Sequence, residues 1–88
     1  MASYELIVKP SVEKDLRSLP KPVVKRLLER MDHLKETPFT PQSLKLTGAE
    51  NLYRVRVGDY RIVYGVDVKA RLITIHYVRH RREAYRSM

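Results

Sequence analysis

Apolar residues recur at two different periods along this chain of 88 residues, and the change of period separates a helical part from a strand-forming part. Val12, Leu16 and Leu19 are four and then three positions apart, which is the spacing of one helical face. A second amphipathic helix is predicted over 23–36. Its apolar stripe consists of Val24, Leu27, Leu28, Met31 and Leu34. From Leu52 onward the period is two, as in strands with one buried face.

Turn and breaker residues set the predicted boundaries. A short strand over 4–8 ends at Pro10, which lacks the N–H that a strand pairing needs, and Ser11 is predicted to cap the first helix. Three further strands, joined by short turns, are predicted at 52–57, 60–67 and 71–78. The order β-α-α-β-β-β predicts an α+β fold in which an N-terminal strand and a helical hairpin pack on a twisted antiparallel sheet. The other face of the sheet is then open. We expect residues 1–88 to form one domain, because a second core does not fit this length.

Residues 53–64, which we call the arginine hairpin, form the most informative segment. Strict alternation sends Arg54 and Arg56 to one face of the first strand, opposite the apolar residues between them. The Gly-Asp pair at 58–59 suits a two-residue type II′ turn, which pairs Arg56 with Arg61 and places all three arginines on one face. Like charges directly opposite each other destabilise a sheet by up to about 1 kcal/mol. The pattern therefore favours a polyanionic ligand on this face.

The overall charge points in the same direction. The chain carries +8, and residues 52–88 account for +6 of it. Such a field favours nucleic acid or an acidic protein segment as the partner. The absence of cysteine excludes disulfides and thiolate metal sites, and three scattered histidines lack ligand spacing, so no metal or other cofactor is expected. With no apolar run long enough to span a bilayer and no signal-like N-terminus, we expect a cytoplasmic protein without a membrane partner.

Several segments resemble the RelE family of the RelE/ParE toxin superfamily. They are the Leu-Lys-Leu-Thr-Gly run at 44–48, the arginine hairpin, and the closing Arg-His-Arg-Arg-Glu-Ala-Tyr run at 79–85. The resemblance covers almost the whole chain. It implies the toxin of a type II toxin-antitoxin system, a metal-independent, ribosome-dependent endoribonuclease (mRNA interferase) that a cognate antitoxin neutralises. The implied partners are that antitoxin, the ribosome with its mRNA, and operator DNA through the antitoxin complex.

The resemblance also implies roles for individual residues. Catalysis is expected of Arg61, Arg81 and Tyr85. RNA binding is expected of Arg54, Arg56, Lys45, Arg79, His80 and Arg82. Well-studied members have lysines where Arg54 and Arg56 stand, and because arginine keeps its proton at neutral pH we expect these two residues to grip phosphates.

Metal-free RNA cleavage sets three chemical tasks for such residues. The 2′-hydroxyl must lose its proton, the phosphorane oxygens must be neutralised, and the leaving 5′-oxygen must be protonated. The planar forks of Arg61 and Arg81 suit the second task. Tyr85, whose phenolate the surrounding arginines favour, is a candidate base or a stacking platform, and His80 is the other candidate for proton transfer.

Other residues have a structural interpretation at this stage. His76 lies within a predicted strand, where a single histidine is usually structural, and His33 is expected on the helix surface. The strand tyrosines, Tyr53, Tyr60, Tyr64 and Tyr77, are expected to pack in the sheet.

Two other functions remain open. A ParE-like toxin would share this fold and act by binding DNA gyrase, without RNA cleavage. A plain RNA-binding module would need the same basic face and no chemistry.

Overall fold

Two helices, each with a proline among its first two residues, are present in the computed structural model, which describes residues 3–40, 43–46 and 51–80. Helix α1 spans Pro10–Arg17 and helix α2 spans Lys21–Glu36. The predicted cap at Ser11 is wrong, because Pro10 is itself the first helical residue, where its fixed φ fits and its missing N–H needs no partner. Neither helix in this part of the chain has the length and apolarity needed to cross a bilayer.

The strands form one five-stranded sheet. Their bounds are β1 Glu5–Val8, β2 Leu44–Lys45, β3 Leu52–Val57, β4 Tyr60–Asp67 and β5 Leu72–His80. They are arranged in the order β1-β5-β4-β3-β2. This confirms the α+β class and the antiparallel meander of β3, β4 and β5. Two edge pairings add to the prediction: β1 lies parallel to β5, and β2, expected as a linking stretch, pairs antiparallel with β3.

Both helices contribute to a core on one face of the sheet. Ile62, Tyr64 and Ile73 are fully buried there, together with α2 residues such as Leu27. The α2 stripe is narrower than predicted, since Leu28 is 48% exposed. Successive helical residues are separated by about 100°, so the residue after a fully buried one turns toward solvent. The opposite sheet face, which we call the open face, carries no helix among the described residues.

Tyr64 ties the segment that follows α2 to the centre of the sheet. Its hydroxyl donates to the carbonyl oxygen of Pro38 at 2.8 Å and also hydrogen-bonds the hydroxyl of Ser43 at 2.6 Å. The ring stacks on Tyr53 with centroids 5.9 Å apart. Burial raises the pKa of the phenol, so it stays protonated as a donor. The tether thus holds the chain beside β3, where β2 then forms.

Candidate nucleic-acid interface

The arginine hairpin has the predicted geometry. Gly58 has φ +59° and no positive φ is found at Asp59, which is the combination that a type II′ turn requires. Val57 then pairs with Tyr60 and Arg56 with Arg61, as expected. The turn fixes the register, and the register fixes which side chains share a face.

Three arginines converge on the open face. Arg54, Arg56 and Arg61, which we call the arginine cluster, line a cleft of about 310 Å³ together with Leu44 from the edge strand β2. None of the three has a carboxylate partner within residues 3–40, 43–46 and 51–80. Three permanent positive charges therefore face one cleft without compensation from that part of the chain.

Val63 is an apolar residue that is buried on the same face as the arginine cluster. It pairs with Arg54 and is only 2% exposed, yet it does not belong to the core beneath the helices. Arg54 and Arg61 are half-buried, whereas Arg56 is exposed. The aliphatic stems of the two half-buried arginines can shield Val63 while their guanidinium groups remain accessible.

Arg79 lies next to the arginine cluster in the sheet, but its guanidinium contacts Asp15 and Tyr77. It pairs with Arg61 in the sheet register. Its guanidinium lies 4.9 Å from the ring centroid of Tyr77, and Nη1 is 3.3 Å from Oδ2 of Asp15 on α1. The carboxylate partly neutralises this charge, so Arg79 contributes less to the field of the cleft than the cluster does. The sequence pattern does not reveal the ion pair, because the two residues are distant along the chain.

Lys45 and His80, which were predicted to bind RNA together with the arginines, lie on the helical side of the sheet and not on the open face. Lys45 pairs with Tyr53, and His80 pairs with Tyr60, whose ring it meets edge-on at 5.1 Å. Paired residues share a face, and both tyrosines point to the side of the helices. The structure therefore separates Lys45 and His80 from the arginine cluster. Arg81, Arg82 and Tyr85 lie outside the described residues.

A β-bulge places two adjacent rings on the open face. Val63 pairs with Tyr77 and Tyr64 with Ile75, which leaves His76 as an extra residue in β5. The bulge breaks the alternation, so His76 and Tyr77 are both accessible while their neighbours Ile75 and Val78 are buried. Tyr77 is 38% exposed, so its expected role as a packed sheet aromatic is wrong. His76 and Tyr77 are adjacent in sequence and too polar for two core positions, and this pattern could have indicated that they lie on the open face.

His76 lies against the backbone of Gly65. A Cβ on Gly65 would be 3.0 Å from Nε2 of His76 and 3.4 Å from Cδ2 of Leu52. Burial, and secondly the charge of Lys9, lower the pKa of the imidazole below its ordinary value, so the ring is neutral at neutral pH. A neutral imidazole can stack on a flat ligand and can both donate and accept a hydrogen bond.

The described part of the open face offers permanent charge rather than acid-base pairs. Within the described ranges no three histidine or carboxylate side chains are grouped so that they could hold a metal ion. The phenol of Tyr64, whose pKa is raised by burial, lies in the core and serves as a tether. The arrangement can bind and polarise phosphate groups.

Comparisons with known proteins agree with this geometry. Residues 6–85 match the family described as the ParE toxin of the type II toxin-antitoxin system, parDE. The protein RelE1 of Methanocaldococcus jannaschii is 31% identical over 87 residues, which cover 96% of this chain and 97% of that protein.

Solved structures show the same similarity. The archaeal RelE-RelB complex from Pyrococcus horikoshii OT3 contains a chain that is 38% identical, with a TM-score of 0.77 and coverage of 90% of this chain and 96% of that one. The RelB-RelE antitoxin-toxin complex from Methanococcus jannaschii gives 26% identity, a TM-score of 0.75 and coverage of 93% and 98%. Both relatives were crystallised in complex with RelB, which is described as the antitoxin in the second of these complexes.

Proposed function

The chain belongs to the ParE and RelE family of type II toxin-antitoxin toxins, and from this premise we propose that it is a ribosome-dependent endoribonuclease that cuts translated mRNA. The observation that carries the proposal is the arginine cluster, three guanidinium groups around one cleft with no carboxylate partner among the described residues. Like charges held around one cleft destabilise the free protein, and the successive phosphates of an RNA offset that repulsion.

The proposed reaction is an internal transesterification. The 2′-oxygen attacks the adjacent phosphorus, a new P–O2′ bond forms, and the bond to the 5′-oxygen of the next nucleotide breaks. The proton leaves the 2′-hydroxyl and another is delivered to the 5′-oxygen. The products are a 2′,3′-cyclic phosphate and a 5′-hydroxyl end. Negative charge grows on the phosphorane oxygens, which is where positioned arginines lower the barrier.

Within the cluster, Arg61 has the best position for transition-state stabilisation. It lies on the central strand β4, between Arg56 on one side and Arg79 on the other. It is half-buried, so its charge is less screened by water than that of the exposed Arg56. We assign Arg54 and Arg56 to gripping the flanking phosphates. Arg81 and Tyr85, which lie beyond the described residues, are proposed to complete the site.

The chemistry of the arginine cluster supports the proposed dependence on the ribosome. Arginine does not act as a base at neutral pH, and the cluster contains no histidine or carboxylate. If the protein supplies only charge and positioning, the rate must come from orientation, in which the 2′-oxygen is held in line with the bond that breaks. Bound mRNA on a ribosome is already held in one conformation, so the ribosome can supply that orientation.

The proposed protein partner is a cognate antitoxin. RelE chains similar to this one were crystallised with RelB antitoxins. The uncompensated arginine cluster makes an acidic, amphipathic partner segment favourable, and charge complementarity would speed its association. In such systems operator DNA would be contacted through the antitoxin complex, as the family resemblance implies.

A second candidate function is inhibition of DNA gyrase, because the matching family is described by the ParE toxin. Cells that express the chain from an inducible promoter separate the two when methionine and thymidine incorporation are followed together. Early loss of methionine incorporation supports the ribonuclease, and early loss of thymidine incorporation supports gyrase inhibition. A chain that reduces neither would favour a plain RNA-binding module.

Matched variants sharpen this test. Arg61→Ala should abolish the translation arrest, whereas Arg17→Ala, which removes an exposed arginine from α1, should leave it intact. If both variants remain toxic to the same degree as the unmodified chain, the arginine cluster is not the source of toxicity.

A further inference from the structure

The open face continues beyond the arginines into an apolar row. Ile7 pairs with Thr74, Thr74 with Gly65, and Gly65 with Leu52, so the four residues cross strands β1, β5, β4 and β3 in one line. Leu52 precedes Arg54 by two positions on the same strand, a separation of about 7 Å. The apolar row is therefore the immediate neighbour of the arginine cluster.

Gly65 turns this row into a trough. It has no Cβ, so Nε2 of His76 and Cδ2 of Leu52 can lie over its backbone, 3.0 Å and 3.4 Å from where a Cβ would be, and the floor of the trough stays low. The resulting cavity has a volume of about 570 Å³, within the range of about 300 to 1,000 Å³ that small-molecule sites occupy. The polar side chains of Asn51, Asp67 and Lys69 stand at its rim.

The ring of His76 forms one wall of the trough and is available to a ligand. It is directed there by the bulge in β5, and it makes no hydrogen bond within the described residues. A core histidine would normally be satisfied by a partner. An accessible imidazole that lies over a glycine, without a hydrogen-bond partner in the described part of the chain, offers its ring face for stacking.

We propose that the trough of Leu52, Gly65, Thr74 and His76 binds one unstacked base of the RNA whose phosphates lie on the arginine cluster. The proposal rests on the proposed function, since the RNA is its substrate. Phosphate contacts carry little sequence information, whereas a pocket that receives a base can contribute to sequence preference.

Three features favour a base over an apolar protein side chain. One wall of the trough is a flat imidazole ring. The polar side chains at its rim can donate and accept hydrogen bonds at the edge of a base. On the side of Arg54, the neighbouring charged groups are the guanidinium groups of the arginine cluster. The separation of about 7 Å between the rows leaves room for the ribose that links a base to its phosphate. One nucleotide can thus contact both surfaces.

Nuclear magnetic resonance of the isotope-labelled protein tests the proposal directly. The probes are a 5′-phosphorylated trinucleotide and the same molecule with its bases removed. We expect both to shift the signals of Arg54 and Arg61, and only the one with bases to shift those of Gly65, Thr74 and the His76 ring. Trough signals that move equally with both probes, or with neither, would overturn the proposal. So would a trough that responds to an acidic amphipathic peptide and not to RNA.

Two variants and a control complete the experiment. Gly65→Ala fills the trough with a Cβ that crowds His76, and His76→Ala removes the stacking wall without crowding. Each should raise the dissociation constant for the base-containing probe about tenfold, the scale of losing one stacked base, and leave the abasic probe unaffected. His33→Ala, which removes an exposed histidine from α2, should change neither constant. If a trough variant raised the dissociation constants of both probes equally, the trough would have a structural role and the proposal would be contradicted.

The two hypotheses fail in different ways. If the trough binds a base but the protein cuts no mRNA on ribosomes, the ribonuclease function is lost and the base site survives as part of an RNA-binding surface. If mRNA is cut and its codon preference is the same in His76→Ala, the function survives and the base site is refuted.

Discussion

The two faces of the sheet are built from the same strands and have opposite properties. On the helical face, Ile62 and Tyr64 are fully buried in a continuous apolar core. On the open face, Arg61 and Arg56 stand opposite each other in a cleft. Side-chain alternation alone separates them, since neighbours along β4 point to opposite sides. Neighbouring residues can therefore be substituted to affect stability or function separately.

The largest effect is expected from the helical face. Ile62→Ala removes a fully buried side chain and should lower the free energy of unfolding by about 2 to 5 kcal/mol. For a domain of this size that is a large share of the total. Urea unfolding followed by circular dichroism measures it. Ile62→Val is the matched control and should cost about 0.5 to 1.5 kcal/mol. A loss below 0.5 kcal/mol for the alanine variant would mean that this face is not the core.

Arg61→Ala is the counterpart on the open face. It should reduce single-turnover cleavage of ribosome-bound mRNA about 10²-fold or more, the scale of losing one charge-stabilising donor. The unfolding free energy should change by no more than about 0.5 kcal/mol. If the variant instead unfolds and retains the cleavage rate of its folded fraction, the two faces are not divided as described.

Tyr64→Phe tests the tether that connects the sheet to the segment before β2. It leaves the Pro38 carbonyl without this donor and removes the phenol from the Ser43 hydroxyl, which keeps its hydrogen bond to Thr40. Together these losses should cost about 1 to 3 kcal/mol. The cost should depend on pH. Because burial raises the pKa of Tyr64, its contribution is complete below the unfolded value near 10 and is lost as the pH rises through the higher folded value.

Unfolding of both proteins between pH 8 and pH 11 checks this sign. The stability difference between wild type and Tyr64→Phe should shrink above about pH 10. A difference that grows with pH would contradict the assigned shift.

The smallest effects are expected from the two arginines that are proposed to bind the flanking phosphates. Arg54→Ala and Arg56→Ala should each weaken RNA binding and reduce the slope of log K against log salt by about one unit, since each releases about one counterion. Fluorescence anisotropy at several salt concentrations measures the slope. Single-turnover cleavage at saturating ribosome complex should change much less than in Arg61→Ala. If either variant lost as much of the cleavage rate as Arg61→Ala, the substituted arginine would be assigned to catalysis.

Local patterns predicted the parts of this molecule that depend on neighbours in sequence. The arginine hairpin follows from alternation and a Gly-Asp turn, and both lie within residues 53–64. The faces of Lys45 and His80 could not be predicted, because they depend on a strand pairing and on a bulge formed by distant partners. Once β5 gains one residue at His76, every later side chain changes face.

The trough could not be predicted from local sequence patterns either. Gly65 reads as a weak point in a strand, and His76 as an isolated strand histidine, until the register brings them together. The ion pair of Arg79 with Asp15 has the same origin, since β5 and α1 meet only in the folded chain.

The most direct test of the central claim, that the arginine cluster cuts mRNA on ribosomes by 2′-hydroxyl attack, is to map RNA ends in a reporter transcript. A ligation method specific for 5′-hydroxyl ends is applied after induction of the wild-type chain and of Arg61→Ala. The account predicts new 5′-hydroxyl ends within translated codons for the wild type, their loss in Arg61→Ala, and their loss when the start codon is removed. Cuts that persist without translation, or translation arrest with no new ends, would contradict it.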